Sequence, residues 1–429
     1  MNMPVSSSVG ISRLHSLWHA VTCLPLARPA VRLAAGAQRL SIVTAAGVLL
    51  SGLSAAVVAA EPQTVEPASP AAAAPVVQTA GIVVRPASVE LDGNFSRAQL
   101  LVTAEADPAA ITARSIDLTG TAVWASSDEK IVTVSSTGEL LAIADGEATI
   151  TVTAAGHTRT VPVVVQNVVA EPTVSYDQTV QPILSRHGCN MGACHSSQYG
   201  KGGFKLSVFS FQPSQDHEAI VRDRQQRRIN FLEPENSLLL RKPTMEVPHG
   251  GSRRLRKGSV DYNALVSWIT AGAPGPSSKS PKVVGIEVTP SERVAVPGET
   301  QQLQVIARYS DDTRRDVTAL ARYDSMDEAL LSVSELGLVK VLGRGQAPVM
   351  VRFEDHAEIC TFALPYSDSI PLEGWQNQNF VDELASAKFR ELGIEPSPVC
   401  DDATFIRRAF LDATGTLPTP EEVTAFLES

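Results

Sequence analysis

Two cysteines and a histidine stand together near the middle of a chain of 429 residues that holds five cysteines in all. The run from Arg186 to Ser196 reads RHGCNMGACHS, with Cys189, Cys194 and, directly after it, His195. A two-cysteine group closed by a histidine is the arrangement that attaches a c-type haem. The thiols add to the porphyrin vinyl groups, and the imidazole becomes an axial ligand of the iron. The usual spacing leaves two residues between the cysteines. Here there are four, Asn190, Met191, Gly192 and Ala193, so the loop must bulge, which the small Gly192 and Ala193 ease. Three other readings fit the same residues: a Cys189–Cys194 disulfide in an oxidising compartment, a zinc site completed by His187, His195, His217 or His249, or a pair of free thiols. Zinc is weakened because no second Cys-x-x-Cys or His pair follows at a familiar spacing.

An iron bound by His195 has an opposite face. Met245 and His249, both in KPTMEVPHGGSRR, are the candidate ligands for it, with an open site as the alternative. A methionine there raises the haem potential and a second histidine lowers it. His249 is favoured, because the turn Pro248-His249-Gly250-Gly251 is suited to presenting an imidazole. Met245 otherwise reads as a gap-filling core residue. His217, in the polar stretch PSQDHEAIVRD, is expected at the surface, and His187 at the end of the helix that enters the motif.

Elements able to position these residues flank them. Tyr176–His187 places Val180, Ile183 and Leu184 on one helical face, with Asp177 as the expected cap. Ser259–Ala271 does the same with Tyr262, Leu265, Val266 and Ile269, capped by Ser259 and stopped by Gly272. A helix entering the motif and a last helix crossing it are what a small haem domain needs. Residues 174–276 are therefore expected to form an all-α unit. This part of the chain is also its basic part. Tyr176–Pro276 carries thirteen Lys or Arg against eight Asp or Glu, whereas the whole chain has a net charge of −10. That balance argues against wholesale nucleic-acid binding.

On either side the pattern changes to short alternating runs separated by turns. Residues 81–167 read as a β-sandwich with strands at Val83–Leu91, Ala98–Ala104, Ile131–Val134, Ala148–Ala154 and Thr160–Val165, and with Trp124 in its core. Residues 283–366 repeat it at a constant offset of 199: Asp128 matches Asp327, Gly138 matches Gly337, Gly146 matches Gly345 and His157 matches His356. Both histidines are expected at strand ends on the surface. Through VTVSSTGELLAIADGEATITVTAAG and LSVSELGLVKVLGRGQAPVMVRFED the two segments resemble bacterial Ig-like domains of group 2. That resemblance implies extracytoplasmic structural or adhesive modules without catalysis.

Segment 176–276 in turn resembles the cytochrome-c-like domain of planctomycete surface proteins. The matching stretches are YDQTVQPILSRHGCNMGACHSSQYGKGGFKLSVFSF, NFLEPENSLLLRKPTMEVPHGGSRR and YNALVSWITAGAP. The resemblance implies covalent haem c on Cys189 and Cys194 with His195 as the proximal iron ligand. Many relatives carry a Met-Pro-Pro turn at the distal position, where this chain has Val247-Pro248-His249. Residues 378–429 resemble the start of a helical domain of unknown function that follows such cytochromes. The marks are the link GIEPSP, the helix from Asp402 with Arg407, Arg408 and Asp412, and Thr-Pro-Glu-Glu opening the next helix. That domain normally continues further, so the segment is expected to be truncated here. Cys360 and Cys400 stand alone in their segments, and a bridge between them has no spacing rule behind it.

At the other end, Arg28, Arg32 and Arg39 precede the uncharged run Ser41–Ala60. Residues 1–60 therefore read as a signal peptide, or as an N-terminal membrane anchor if uncleaved. Residues 61–80 are a Pro/Ala linker. The expected architecture is thus multidomain: two all-β Ig-like sandwiches flank an all-α cytochrome c-like domain, with a helical segment after them. The expected protein is exported, periplasmic or on the cell surface, and carries covalent haem for electron transfer to an unidentified redox partner. The alternative is a structural or adhesive surface protein whose Cys-His block is stapled by a disulfide or binds zinc. In either case the Ig-like domains are the part suited to cell-surface or polysaccharide contacts. No Ser/His/Asp set, phosphate loop or spaced carboxylate pair points to catalysis.

Overall fold

The computed structural model describes residues 79–429. The expectations for the leader and for most of the linker lie outside them. Among the described residues no helix is long and apolar enough to cross a membrane.

The first sandwich is built from β1 (Val83–Arg85), β2 (Val89–Asp92), β3 (Arg97–Gln99), β4 (Leu101–Thr103), β5 (Val123–Ser126), β6 (Val132–Val134), β7 (Glu139–Ala142), β8 (Gly146–Ala154) and β9 (His157–Gln166). A four-stranded sheet in the order β2-β9-β8-β5 faces a three-stranded one in the order β3-β7-β6. The strand β2 runs parallel to β9, and the other pairs in both sheets are antiparallel. Along β8 the apolar residues Ala148, Ile150, Val152 and Ala154 point inward and the threonines between them point outward, which is the period-two pattern of a half-buried strand. The expected run Val83–Leu91 is divided into β1 and β2 around Pro86.

The helical segment follows. One wide turn at Tyr176–Val180 leads into α1 (Gln181–Arg186), then come α2 (Pro213–Val221), α3 (Leu238–Arg241) and α4 (Val260–Thr270). Two single 3-10 turns, Val208–Ser210 and Pro234–Asn236, lie among the turns and loops of the rest, and β structure is confined to one isolated bridge between Lys201 and Phe204. Its core gathers Val180, Ile183 and Leu184 from the entry helix with Tyr262, Leu265, Trp268 and Ile269 from α4. Ser259 caps α4 by accepting the Tyr262 N–H. At α1 the expected cap is corrected: Ser175 accepts the Gln178 N–H. Asp177 instead reaches out to Ser277 and Ser280, where the chain leaves the segment.

The second sandwich comprises β10 (Val283–Thr289), β11 (Glu292–Val294), β12 (Thr300–Gln302), β13 (Gln304–Tyr309), β14 (Arg314–Asp316), β15 (Arg322–Ser325), β16 (Leu331–Val333), β17 (Leu338–Val341), β18 (Gly345–Phe353) and β19 (His356–Leu364). Its sheets β11-β19-β18-β15 and β12-β17-β16 repeat those of the first. From β5 and β15 onward the two are offset by 199 residues. In the early strands the offset is 203, as between β3 and β12. The single offset read from the sequence therefore holds for only part of the repeat. The first domain spends four more residues between β3 and β5 than the second does between β12 and β15.

Shared glycines reflect shared packing. Gly138 lies at φ +77 against the Trp124 ring, and Gly337 at φ +78 against the Tyr323 ring. A Cβ on Gly337 would stand 2.8 Å from the Tyr323 ring, whose hydroxyl donates to the Thr318 carbonyl. Gly337→Ala is expected to destabilise this domain by about 2–3 kcal/mol, from the left-handed backbone plus overpacking. Gly298→Ala, also at positive φ but with nothing within 4 Å, serves as the control that carries the backbone cost alone. Denaturant midpoints check the difference, and equal losses in the two variants would remove the packing argument.

The two sandwiches meet through reciprocal contacts. The Gln99 N–H donates to the Asp316 carboxylate (2.9 Å), and the Gln302 N–H donates to the Asp117 carboxylate (2.7 Å). Asp117 and Asp316 are themselves repeat equivalents, and each also caps its own turn through Thr119 or Thr318. Edge-strand donors that would otherwise be open are satisfied in this way. Burial pushes the Asp117 carboxyl up to about 6 against these donors, and it raises Asp316 as well.

After β19 come α5 (Phe380–Leu392), α6 (Asp402–Thr414) and α7 (Pro420–Leu427). Capping boxes start α5 at Asn379 and α7 at Thr419. Cys360 is buried in the second sandwich and Cys400 is half-exposed, and both are free thiols. No Cys360–Cys400 bridge is present.

Candidate functional site

The Cys-His block is folded by its own backbone. Cys189 N–H donates to Leu184 C=O (2.9 Å), which continues the end of α1. Cys194 N–H and Ser196 N–H both return to Met191 C=O, and His195 N–H donates to Cys189 C=O (3.1 Å). The four intervening residues are thereby wound into a closed turn, and His195 is brought back over Cys189. The sharp reversal falls at Gly188 (φ +71), ahead of the first cysteine, and not at Gly192. Asn190 anchors the turn. Its side chain is buried and donates to Ser185 and Ser210 hydroxyls at 2.7 and 2.9 Å, while its carbonyl accepts from Ser196 Oγ. Nothing in the spacing of the motif marked Gly188, Asn190 or Ser196. The only available signal was an amide among small residues.

His195 Nδ1 lies 3.0 Å from the Phe204 carbonyl. A carbonyl only accepts, so Nδ1 carries the proton and Nε2 keeps a free lone pair. Burial lowers the pKa of His195, so the ring is neutral at pH 7. His249 is held in the same manner: its Nδ1 donates to Ser252 C=O at 2.8 Å. The two imidazoles face one another with centroids 6.4 Å apart and planes 18° from parallel. Gly251 allows this pose, because a Cβ there would stand 2.9 Å from His249 Cε1.

Between the rings lies a cavity of about 280 Å³ lined by Cys189, His195 and His249. Its apolar wall includes Ile183, Leu184, Phe204 and Leu265, and its rim is basic. Burial, helped by the neighbouring Cys194 and opposed by Arg254, pushes the Cys189 thiol up to about 12. Met245 is exposed and does not line the cavity. The Cys189 and Cys194 thiols are not bonded to each other. Among the described residues no three His, Cys, Asp or Glu side chains gather as a metal site, so the zinc reading has no ligand set there.

The remaining histidines take structural places. His187 closes α1 and contacts Asp261 through Nε2 at 2.9 Å. His217 is not the surface residue that its polar neighbours implied. It packs edge-on against Tyr176 and Trp268 and bonds the Ala273 carbonyl at 2.8 Å. His157 sits at a strand end, bonded to Thr79 C=O. His356 lines a wider cleft of about 540 Å³ between the helical segment and the β18–β19 hairpin, with its Nε2 buried and without a partner among the described residues. Arg407, Arg408 and Asp412 form no ion pair among the described residues.

Both sandwiches grip the motif. Asp261 on α4 is buried and joins Arg186 and His187, just ahead of Cys189, to Arg97 of β3. On the other side Arg322 of β15 reaches Met191 inside the cysteine turn.

A family model described as bacterial Ig-like domain (group 2) matches residues 97–165 and 282–361. A second, described as a protein of unknown function (DUF1549), matches 380–429. The chain is thus a multidomain protein with two bacterial Ig-like domains, a helical segment between them and a DUF1549 region after them. No curated protein matches it. Among solved structures it is similar to the S-layer protein rSbsC, at 11% identity and a TM-score of 0.18, covering 65% of this chain and 24% of that one. Domains 5–6 of the S-layer protein SbsC give 12% identity and a TM-score of 0.25, covering 66% and 96%. Invasin, a bacterial integrin-binding protein, gives 12% identity and a TM-score of 0.15, covering 66% and 59%. The chain therefore spans about a quarter of the rSbsC chain.

Proposed function

We propose that this is an exported surface protein whose Ig-like pair frames a haem-holding helical segment used for electron transfer. The observation that carries this reading is the facing of two imidazoles, each bonded through Nδ1 to a main-chain carbonyl, across an apolar cavity that Cys189 also lines. Such a cavity suits a planar macrocycle, and the ring spacing suits one metal between two nitrogens. Cys189 and Cys194 would hold haem covalently, and His195 and His249 would be the residues that ligate its iron. When bound, the iron supplies one-electron redox chemistry. The chain's own residues do the rest. The Phe204 and Ser252 carbonyls fix the tautomer and orientation of the two rings, and Ile183, Leu184 and Leu265 keep water from the cavity. Two histidine ligands favour a lower potential than a His/Met pair.

The test is the absorption spectrum of full-length protein matured with a haem-ligation system. A low-spin spectrum is expected, His249→Ala should convert it to high spin, and Met245→Ala should leave it low spin. Low spin retained after the His249 change removes that ligand. A second reading is a structural or adhesive surface protein without haem, favoured by the Ig-like matches over residues 97–165 and 282–361. A correctly matured sample without a haem spectrum selects it.

A further inference from the structure

The rim of the cavity has a feature that iron ligation leaves unused. It carries Lys201, Arg224, Arg227, Arg228 and Lys242, and no carboxylate lines the cavity. Arg228 is already committed: it is buried, donates to the Ala219 and Gly203 carbonyls, and stacks on Phe204 at 4.4 Å. Lys242 is engaged too, with the Pro248 carbonyl at 3.3 Å. Arg224 and Arg227 are exposed and have no hydrogen-bond or ion-pair partner among the described residues.

The backbone that presents them is unusual. Arg224, Gln225 and Gln226 have φ of +55, +58 and +58, three successive left-handed residues with side chains. L-residues visit that region singly and at a cost. Strain of this kind persists where the surroundings over-determine it, and it clusters at ligand sites. Here the turn swings the Arg224 guanidinium over Gly203, where a Cβ would come within 3.2 Å of it. Gly203, at φ +72, leaves that space open.

An apolar slot with two uncommitted guanidinium groups at its mouth fits a flat apolar body with paired anionic groups on one edge. We infer that Arg224 and Arg227 form a clamp for the two carboxylates of a dicarboxylate porphyrin, fixing which edge faces the rim. This rests on the haem reading and adds an orientation to it. A porphyrin whose carboxylates meet the rim turns its opposite edge inward, toward the half-buried Cys189.

The experiment uses the full chain produced without haem ligation, titrated with ferric protoporphyrin IX and, in parallel, with its dimethyl ester. Wild type should bind the diacid about tenfold more tightly than the ester, the size of one to two partly exposed charge-assisted pairs. The preference should shrink as salt rises. In Arg224→Gln/Arg227→Gln the preference should fall to about twofold or less, with ester binding unchanged. The corresponding double lysine variant keeps the charge and should restore part of the preference. If wild type binds both porphyrins equally, the clamp is overturned while the pocket stands. If the Gln variant keeps the full preference, the wrong residues have been assigned. If neither porphyrin binds, the haem reading falls and the clamp falls with it.

Discussion

Changing Cys189 and Cys194 together to serine is expected to leave no haem on the polypeptide after acid-acetone extraction, whereas wild type keeps all of it. In the proposed attachment two thioethers would be the covalent links, and each single change should leave one. Low-spin absorption should survive in the double variant when haem is added back, because His195 and His249 are held by main-chain carbonyls at 3.0 and 2.8 Å and not by the cysteines. Attachment and ligation would then separate cleanly. Thiol counting adds a second check. A disulfide would remove both thiols from a denatured, haem-free sample, whereas the free thiols seen here should both react. Before denaturation Cys189 should resist alkylation, since burial holds its thiol up to about 12 and the thiolate is the reactive form. Haem surviving extraction in the double variant would contradict the attachment site.

What could be read from the sequence follows the range of the interactions. Strand alternation and turn glycines are local, so the sandwiches and their repetition were legible. Gly138 and Gly337 announced themselves because only a residue without a Cβ fits against Trp124 and Tyr323. The repeat was over-read upstream of β5, where no glycine pair marks the longer excursion of the first domain. His249 stood out through its Pro-Gly-Gly turn, and the structure puts its ring opposite His195. Polar neighbours misled at His217, since one side of α2 faces Tyr176 and Trp268 while the other meets solvent. Asn190 was invisible for a different reason. Its partners Ser185 and Ser210 come from either side of the motif, and no spacing rule joins them. The contacts between the sandwiches, from Gln99 to Asp316 and from Gln302 to Asp117, bridge residues about two hundred positions apart. Periodicity carries no information about such pairs.

Replacement of Asp261 by alanine is expected to cost about 3–5 kcal/mol at pH 7. Its side chain is 3% exposed and takes Arg97 at 2.8 Å, His187 at 2.9 Å and Arg186. Removing the carboxylate strands two guanidinium groups that are each only 10% exposed. Burial by itself would push the Asp261 carboxyl up, but the His187 hydrogen bond and the charges of Arg97 and Arg186 outweigh it and hold the carboxyl well below the usual range. A carboxyl depressed in the folded state stabilises above its unfolded pKa, and the contribution is lost as pH falls through the folded value. The difference between wild type and Asp261→Ala should therefore be full from neutral pH down to about pH 4 and shrink below it. Denaturant titrations of both proteins at pH 7 and pH 3 measure this. The consequence reaches the cavity, because Arg186 and His187 lead directly into Cys189. Alkylation of Cys189 in haem-free protein should be faster in the variant, as the end of α1 loses its tie to α4 and to β3. A variant as stable as wild type at pH 7, with Cys189 still protected, would mean that the first sandwich and the helical segment are held together by their apolar contacts and that this buried cluster is dispensable.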